Sequence, residues 1–254
     1  MYNKPIYLTS DVHLGALNDD GESSFHKWMN WASANAAQII INGDLFDFWF
    51  EFRTGIPSGY QKSLSVLKAV IQSGVPVTLV GGNHDWWAGR YLQEEVGISF
   101  EPDPLLLNLA GYKVFMAHGD GLGPGNNTYR LVRYFLRSRV LTNLFSLLDP
   151  SWGSWIGAKV SRTKQKRLQV SSQEQHQSET LKTWALNKLK EEPNCDLIFL
   201  GHTHIPWIER MGNNRYYINT GDWLYNRTFA ILNQGEQPSL CCWKSGRSFP
   251  YLPK

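Results

Sequence analysis

Cysteine is scarce in this sequence, with three among 254 residues: Cys195, Cys241 and Cys242. An odd number with two adjacent members does not suit a disulfide framework, because a bond between neighbouring cysteines is strained. No Cys-x-x-Cys pair is present, which argues against a cysteine-ligated zinc site. We therefore expect reduced thiols and a cytoplasmic protein.

Long apolar runs are missing as well. No stretch approaches the roughly 18 consecutive apolar residues that cross a bilayer. Residues 1–5 lead directly into a strand-like segment, without the basic and then apolar segments of a secretory signal. These absences predict a protein without a membrane span or a secretory leader.

Charge is distributed unevenly along the chain. The net charge is +3, but residues 121–190 contain twelve Lys and Arg and only three Asp and Glu. The rest of the chain contains thirteen basic and nineteen acidic residues. An acidic scaffold with a basic segment predicts an anionic partner that is brought to cation-binding machinery.

Strand-like and helical segments alternate through the first third of the chain. Apolar runs at 6–10, 38–42 and 75–80 are separated by helical periodicity at 22–37 and 60–73. This alternation predicts an α/β fold with a mostly parallel sheet.

The later part of the chain continues the strand pattern after an interruption. Residues 122–192 carry helical, basic and aromatic sequence without a strand signal, so we interpret them as a helical insertion within one domain, 1–254. Further elements are predicted as a short helix at 88–95, a hairpin over 105–109 and 113–117, and strands at 196–200, 215–219, 227–232 and 239–243.

A polar cluster follows each of five predicted strands, at the end where α/β enzymes place their ligands. The clusters are Asp11-x-His13, Gly43-Asp44, Gly82-Asn83-His84-Asp85, His118 and Gly201-His202-x-His204. The two imidazoles of the last cluster are expected on the same side of one strand.

The ligand types indicate which metals would bind. A mixed set of Asp, His and Asn ligands suits Mn²⁺, Fe or Zn²⁺ better than it suits Mg²⁺ or Ca²⁺, which prefer oxygen ligands alone. The ligand number predicts two divalent metal ions, most naturally Mn²⁺, bridged by Asp44. Two ions about 3.5–4 Å apart activate a water and clamp phosphoryl oxygens.

Each cluster alone is also compatible with ordinary loop polarity. As an ordered set, however, the five clusters resemble the signature of the calcineurin-like metallophosphoesterases. The resemblance implies an α/β sandwich of two mixed β-sheets flanked by helices, with a helical cap insertion. It implies that one metal is held by Asp11, His13, Asp44 and His204, and the other by Asp44, Asn83, His118 and His202. It further implies that His84 contacts the phosphate and supports leaving-group departure or charge stabilisation, and that Asp85 orients His84.

Finer features resemble one branch of that family, the UDP-2,3-diacylglucosamine pyrophosphatases of lipid A synthesis. They are Gly43-Asp44-Leu45-Phe46-Asp47-x-Trp49, Ser73-Gly74-Val75-Pro76, His118-Gly119-Asp120 and the helical insertion that follows. The branch implies hydrolysis of a nucleotide-linked glycolipid to lipid X and UMP, at the inner face of the cytoplasmic membrane. The chain departs from the proteobacterial form at His84, where that form has Arg, and at Asp222. These departures fit a divergent member or a neighbouring phosphoesterase.

The insertion supplies basic and apolar residues together. Arg130, Arg133 and Arg137 are predicted on one helical face, beside apolar residues between 131 and 148, as an acylated anionic substrate or a membrane surface requires. We predict substrate contacts from Arg130, Arg133, Arg162 and Lys166. A packed helix with a solvated basic edge remains open.

Two other functions also remain open. A nucleotide or nucleic acid would suit the basic charge and the aromatic residues. A metal-stabilised interaction module without catalysis would suit the ligand set alone.

Overall fold

The computed structural model describes residues 4–152, 155 and 171–251. Its strands are β1 (Ile6–Thr9), β2 (Gln38–Asn42), β3 (Val77–Val80), β4 (Ser99–Glu101), β5 (Leu105–Leu109), β6 (Tyr112–Met116), β7 (Leu197–Leu200), β8 (Pro206–Met211), β9 (Arg215–Thr220), β10 (Thr228–Leu232), β11 (Ser239–Lys244) and β12 (Arg247–Pro250). Its helices are α1 (Asp19–Asn35), α2 (Gln61–Gln72), α3 (Asn127–Leu136), α4 (Arg139–Phe145) and α5 (Ser172–Glu191), with a π-helical segment at Tyr91–Val96. The predicted core elements lie within three residues of these bounds, whereas β4, β8 and β12 are absent from the sequence prediction.

The strands form two mixed sheets. The larger sheet has the order β12-β11-β10-β1-β2-β3-β4, in which β1 to β4 are parallel neighbours and β10 to β12 pair antiparallel. The smaller sheet has the order β5-β6-β7-β9-β8, with β6, β7 and β9 parallel. This architecture confirms the predicted α/β sandwich. The parallel pairing expected from alternation is found from β1 to β4 and again in β6, β7 and β9, while the other neighbouring strands pair antiparallel.

The apolar runs of the strands are buried on both faces. In β2, Ile39 and Ile41 pack against α1 and α2, while Ile40 points into the space between the sheets with Phe199 of β7. On the other side of the smaller sheet, Tyr217 packs against α5. Because successive side chains in a strand alternate between faces, a continuous apolar run suits a strand with a layer on each side. The result is a four-layer arrangement of helices, two sheets and helix.

Helices α3 and α4 differ from the rest, because none of their residues is buried. We call these two helices, residues 127–145, the helical arm. By contrast α5, also within the predicted insertion, packs Leu181, Ala185 and Leu189 against the smaller sheet and forms one of the four layers. No helix among the described residues has the length and apolarity that a bilayer span requires.

Candidate metal centre

The five polar clusters meet at one edge of the sandwich, just beyond the carboxyl ends of β1, β2, β3, β6 and β7. Backbone hydrogen bonds join the turns: Asp11 N donates to the Gly43 carbonyl at 3.1 Å, and His13 N donates to the Asp44 carbonyl at 2.9 Å. Gly201 N donates to the His118 carbonyl at 2.8 Å. These hydrogen bonds between turns fix the relative positions of side chains that are far apart in sequence.

Backbone strain is concentrated at this edge. Among the described residues, nine non-glycine residues have positive φ, and five of them are predicted metal ligands. They are Asp11 (φ 51°), His13 (φ 53°), Asp44 (φ 54°), His202 (φ 69°) and His204 (φ 60°). Such conformations persist only where the surrounding structure holds them, and they cluster at functional sites.

One group of ligands contains Asp11, His13 and His204. The His204 Nε2 atom lies 3.4 Å from Asp11 Oδ1 and 3.2 Å from His13 Nε2, and His13 Nε2 lies 3.9 Å from Asp44 Oδ2. These atoms converge on one small volume, as a shared cation requires.

A second group contains Asp44, Asn83, His118 and His202. The His118 Nε2 atom lies 3.2 Å from Asp44 Oδ2, and His202 Nδ1 lies 3.1 Å from Asn83 Oδ1. The other nitrogen of His118, Nδ1, donates to the Asn42 carbonyl at 2.9 Å, so Nε2 faces the site. Within the described part of the chain that buried Nε2 has no hydrogen-bond partner. A buried imidazole nitrogen left free and aimed at a carboxylate fits a metal ion at this position.

The spacing of His202 and His204 predicted that their imidazoles share one side of a strand, and this prediction is wrong. Both lie beyond the end of β7 with positive φ, so the alternation rule for strands does not apply to them. His204 faces Asp11 and His13, while His202 faces Asn83. The turn after β7 therefore places His204 in the first ligand group and His202 in the second.

Electrostatics in the site also suits a cation. Burial alone would raise the pKa of the Asp44 carboxyl, but the imidazoles of His118, His84 and His13 hold it well below its usual range. Burial opposes a charged His118, but the Asp44 and Asp11 carboxylates raise its pKa well above the usual value. Burial, followed by the charge of His118, lowers the pKa of His202 to about 4. The opposite pKa shifts of Asp44 and His118 show that each group favours a partner of opposite charge at this position, and a metal ion that binds such groups competes with their protons.

Two glycines allow the turns to approach each other this closely. A Cβ atom on Gly82 would collide with the carboxylate and backbone of Asp44. A Cβ atom on Gly43, whose φ is +84°, would collide with the His118 ring. Glycine is therefore required at both positions, because any side chain would displace a predicted ligand.

His84 stands at the rim of the site. Its Nδ1 lies 2.6 Å from the Asp47 carbonyl oxygen, which can only accept, so Nδ1 carries the proton. Its Nε2 then faces the site, 3.8 Å from Asp44 Oδ2. The side chain is 18% exposed whereas that of Asp44 is 2% exposed, so His84 is the one that a bound molecule can reach.

The structure corrects the role expected for Asp85. Its carboxylate accepts the backbone N–H groups of Leu45 at 2.7 Å, Gly82 at 2.9 Å, Asp44 at 3.3 Å and Phe46 at 3.4 Å. The carbonyl of Asp47, and not Asp85, orients the ring of His84. The Asp85 carboxylate is buried and accepts hydrogen bonds from the turn after β2 and from the turn after β3, so it joins the two turns.

Two further carboxylates lie behind predicted ligands, and the sequence assigned neither of them a role. Asp222 Oδ2 lies 3.2 Å from His204 Nδ1, and Asp47 Oδ1 lies 3.7 Å from His13 Nδ1. A carboxylate behind an imidazole fixes the orientation and tautomer of a ligating ring. The sequence feature that could have indicated this role for Asp47 is its position three residues after the predicted ligand Asp44.

The predicted substrate-binding arginines are engaged within the protein. Arg130 donates to the carbonyls of Gly121 at 2.8 Å and Gly123 at 2.6 Å. Arg133 donates to the Asp120 carboxylate at 3.0 Å. These contacts hold Arg130 and Arg133 against the turn that follows β6, and the predicted contacts of both side chains with substrate stay a prediction. Arg162 and Lys166 lie outside the described residues.

Comparison with known proteins adds independent information. Residues 4–206 match the family described as calcineurin-like phosphoesterase. A Porphyromonas gingivalis protein named UDP-2,3-diacylglucosamine hydrolase is 26% identical over 243 residues, covering 89% of this chain and 93% of that protein. A protein of the same name from Neisseria meningitidis is 29% identical over 235 residues, covering 90% and 93%. The solved structure of Vacuolar Protein Sorting 29 from Cryptosporidium parvum aligns with 98% of this chain and 96% of its own, at a TM-score of 0.49 and 14% identity.

Proposed function

The chain belongs to the calcineurin-like phosphoesterase family and is a metal-dependent phosphoester hydrolase, and we propose that its substrate is UDP-2,3-diacylglucosamine. Hydrolysis of the diphosphate would give 2,3-diacylglucosamine 1-phosphate (lipid X) and UMP. The observation that carries the proposal is an apolar helical arm attached directly to the metal-site turns. Relatives that match about nine-tenths of the chain and are named for this substrate support it.

We propose that the two ligand groups hold one divalent ion each and share Asp44. Asp11, His13 and His204 would complete one site, and Asn83, His118 and His202 the other. When bound, such a pair supplies an activated water and neutralises phosphoryl oxygens. The imidazole, amide and carboxylate donors favour Mn²⁺ and also suit Fe or Zn²⁺.

The protein's own groups would prepare the phosphate for attack. His84 holds one proton at Nδ1 against the Asp47 carbonyl, so its Nε2 is the atom available to the phosphate. That Nε2 is the ring atom placed to meet a phosphoryl oxygen or the leaving group. Because the ring is held from behind, it needs no reorientation when substrate binds.

The helical arm would act as a cap over the acylated part of the substrate. Its exposed side chains include Leu131 (58%), Tyr134 (73%), Val140 (76%) and Leu144 (62%). Exposed apolar side chains in this number mark a binding surface, and the basic residues beside them suit an anionic lipid. We propose that the arm also touches the inner face of the cytoplasmic membrane, from which it would draw substrate.

Purified protein with Mn²⁺ should release UMP from UDP-2,3-diacylglucosamine. We expect kcat/KM to exceed that for UDP-N-acetylglucosamine at least about a hundredfold, because the acyl chains bury apolar area against the arm. Chromatographic measurement of UMP, with bis(p-nitrophenyl) phosphate as a general phosphodiester control, tests this.

The control substrate separates the possible failures. Turnover of bis(p-nitrophenyl) phosphate without UMP release from the glycolipid would contradict the substrate. Nucleic-acid binding that weakens steeply between low and moderate salt would favour the nucleic-acid alternative.

A further inference from the structure

One buried carboxylate, Asp120, attaches the helical arm to the metal centre. Asp120 is 5% exposed and lies two residues after His118. Its Oδ2 atom accepts from the Tyr129 hydroxyl at 3.2 Å, from Arg133 Nη1 at 3.0 Å and from Arg137 Nη2 at 3.4 Å. We propose that Asp120 and Arg137 are positioning residues that set the arm over the site and couple its position to the metal-binding turns.

The three partners of Asp120 lie on one face of the arm. Tyr129, Arg133 and Arg137 are spaced four residues apart, so α3 and the Arg137 that caps its C-terminus present them as a single stripe. Arg133 Nη1 also donates to the Asp120 backbone carbonyl at 2.6 Å. The arm therefore meets the turn after β6 through one polar stripe, while Phe145 at the end of α4 packs against Phe50 and Phe52.

Arg137 makes a second attachment on the other side of the site. Its Nη2 atom donates to the carbonyl oxygen of Gly82 at 3.4 Å, in the turn that carries Asn83 and His84. Its guanidinium also lies 4.7 Å above the ring of Trp86. One side chain thus connects the turn holding His118 with the turn holding Asn83, and both turns belong to the second ligand group.

Burial makes the loss of these contacts energetically costly. Exposed ion pairs contribute little, but removing one partner of a buried pair leaves an uncompensated charge. If the arm moved away, Asp120 and Arg137 would each lose their partners. Conversely, a metal ion that fixes Asn83 and His118 would fix the arm, because coupling between two sites is reciprocal.

Hydrogen exchange of the α3 amides tests the coupling without any activity measurement. In the full-length protein without metal, we expect D120N to speed exchange over Asn127–Leu136 at least about tenfold. Adding Mn²⁺ should slow exchange there in the natural sequence, and R137A should remove most of that effect. As a matched control, E179Q breaks the Glu179–Lys182 pair on α5, in which the Glu179 side chain is exposed, and should leave α3 exchange unchanged.

Two results would overturn the proposal: unchanged α3 exchange in D120N with retained fold, or an equal Mn²⁺ effect in the natural sequence and R137A. Far-UV circular dichroism checks the fold, and R137A provides the second variant if D120N fails to fold.

A kinetic measurement extends the test and rests on the proposed function. R137A should raise KM for UDP-2,3-diacylglucosamine by about tenfold more than KM for bis(p-nitrophenyl) phosphate, since only the glycolipid reaches the arm. Equal changes in the two KM values would count against the positioning role. If the natural sequence fails to cleave the glycolipid while exchange behaves as expected, the substrate is wrong and the coupling stands.

Discussion

Replacing Asp44 with Asn is expected to lower phosphoester hydrolysis at least about 10²-fold, the lower end of the scale on which loss of one preorganised electrostatic partner acts. The Asp44 Oδ2 atom lies 3.2 Å from His118 Nε2, 3.8 Å from His84 Nε2 and 3.9 Å from His13 Nε2. It is the carboxylate oxygen that faces both ligand groups and the rim histidine. An amide has the same shape but lacks the charge that a bridging position needs. Rates with bis(p-nitrophenyl) phosphate and metal content per chain measure the effect.

The matched control for D44N is D196N. Asp196 accepts the Lys113 N–H at 2.8 Å at the beginning of β7, away from the carboxyl ends where the clusters meet. We expect D196N to keep its activity and its metal. If D44N retained activity with two bound metals, Asp44 would not be the bridge.

Replacing Asp85 with Ala is expected to lower the free energy of unfolding of the metal-free protein by about 2–4 kcal/mol. The substitution leaves four buried backbone N–H groups without their acceptor, and each unpaired group costs about 1–3 kcal/mol. Part of this loss is offset, because burial and then the charge of Asp44 raise the pKa of Asp85 to about 6 and make its charged form costly. Urea unfolding in the presence of a chelator measures the change.

The same substitution should also weaken metal binding. Asp85 joins the turn that carries Asp44 to the turn that carries Asn83, and ligands lose affinity when their supports are removed. D196N again serves as the control, with an expected change below about 1 kcal/mol. A change below about 0.5 kcal/mol for D85A would contradict the role assigned to this carboxylate.

The sequence predicted the edge at which the site lies because parallel strands end together. The apolar runs that became β1, β2 and β3 each stop at a polar cluster, and their pairing is parallel and in register. Once those strands are recognised as parallel neighbours, the topology alone places the clusters that follow them at the same edge of the sheet. The strands β4, β8 and β12 could not be recognised in this way. They are short or polar edge strands, and edge strands carry little of the apolar signal.

The contacts between side chains depended on tertiary structure. Asp85 is adjacent to His84 in sequence, which suggested a pair, but the turn directs the two side chains to opposite sides. The spacing of His202 and His204 suggested one shared face, but positive φ values separate their rings. Asp120 looked like part of a motif, and only the fold shows that it receives three side chains from the arm.

Diffraction from crystals grown with Mn²⁺ would test the two-metal centre most directly. We predict two anomalous peaks about 3.5–4 Å apart on either side of the Asp44 carboxylate. One peak should lie among Asp11, His13 and His204, and the other among Asn83, His118 and His202. A single peak, or no peak within bonding distance of Asp44 at saturating Mn²⁺, would contradict the two-metal site.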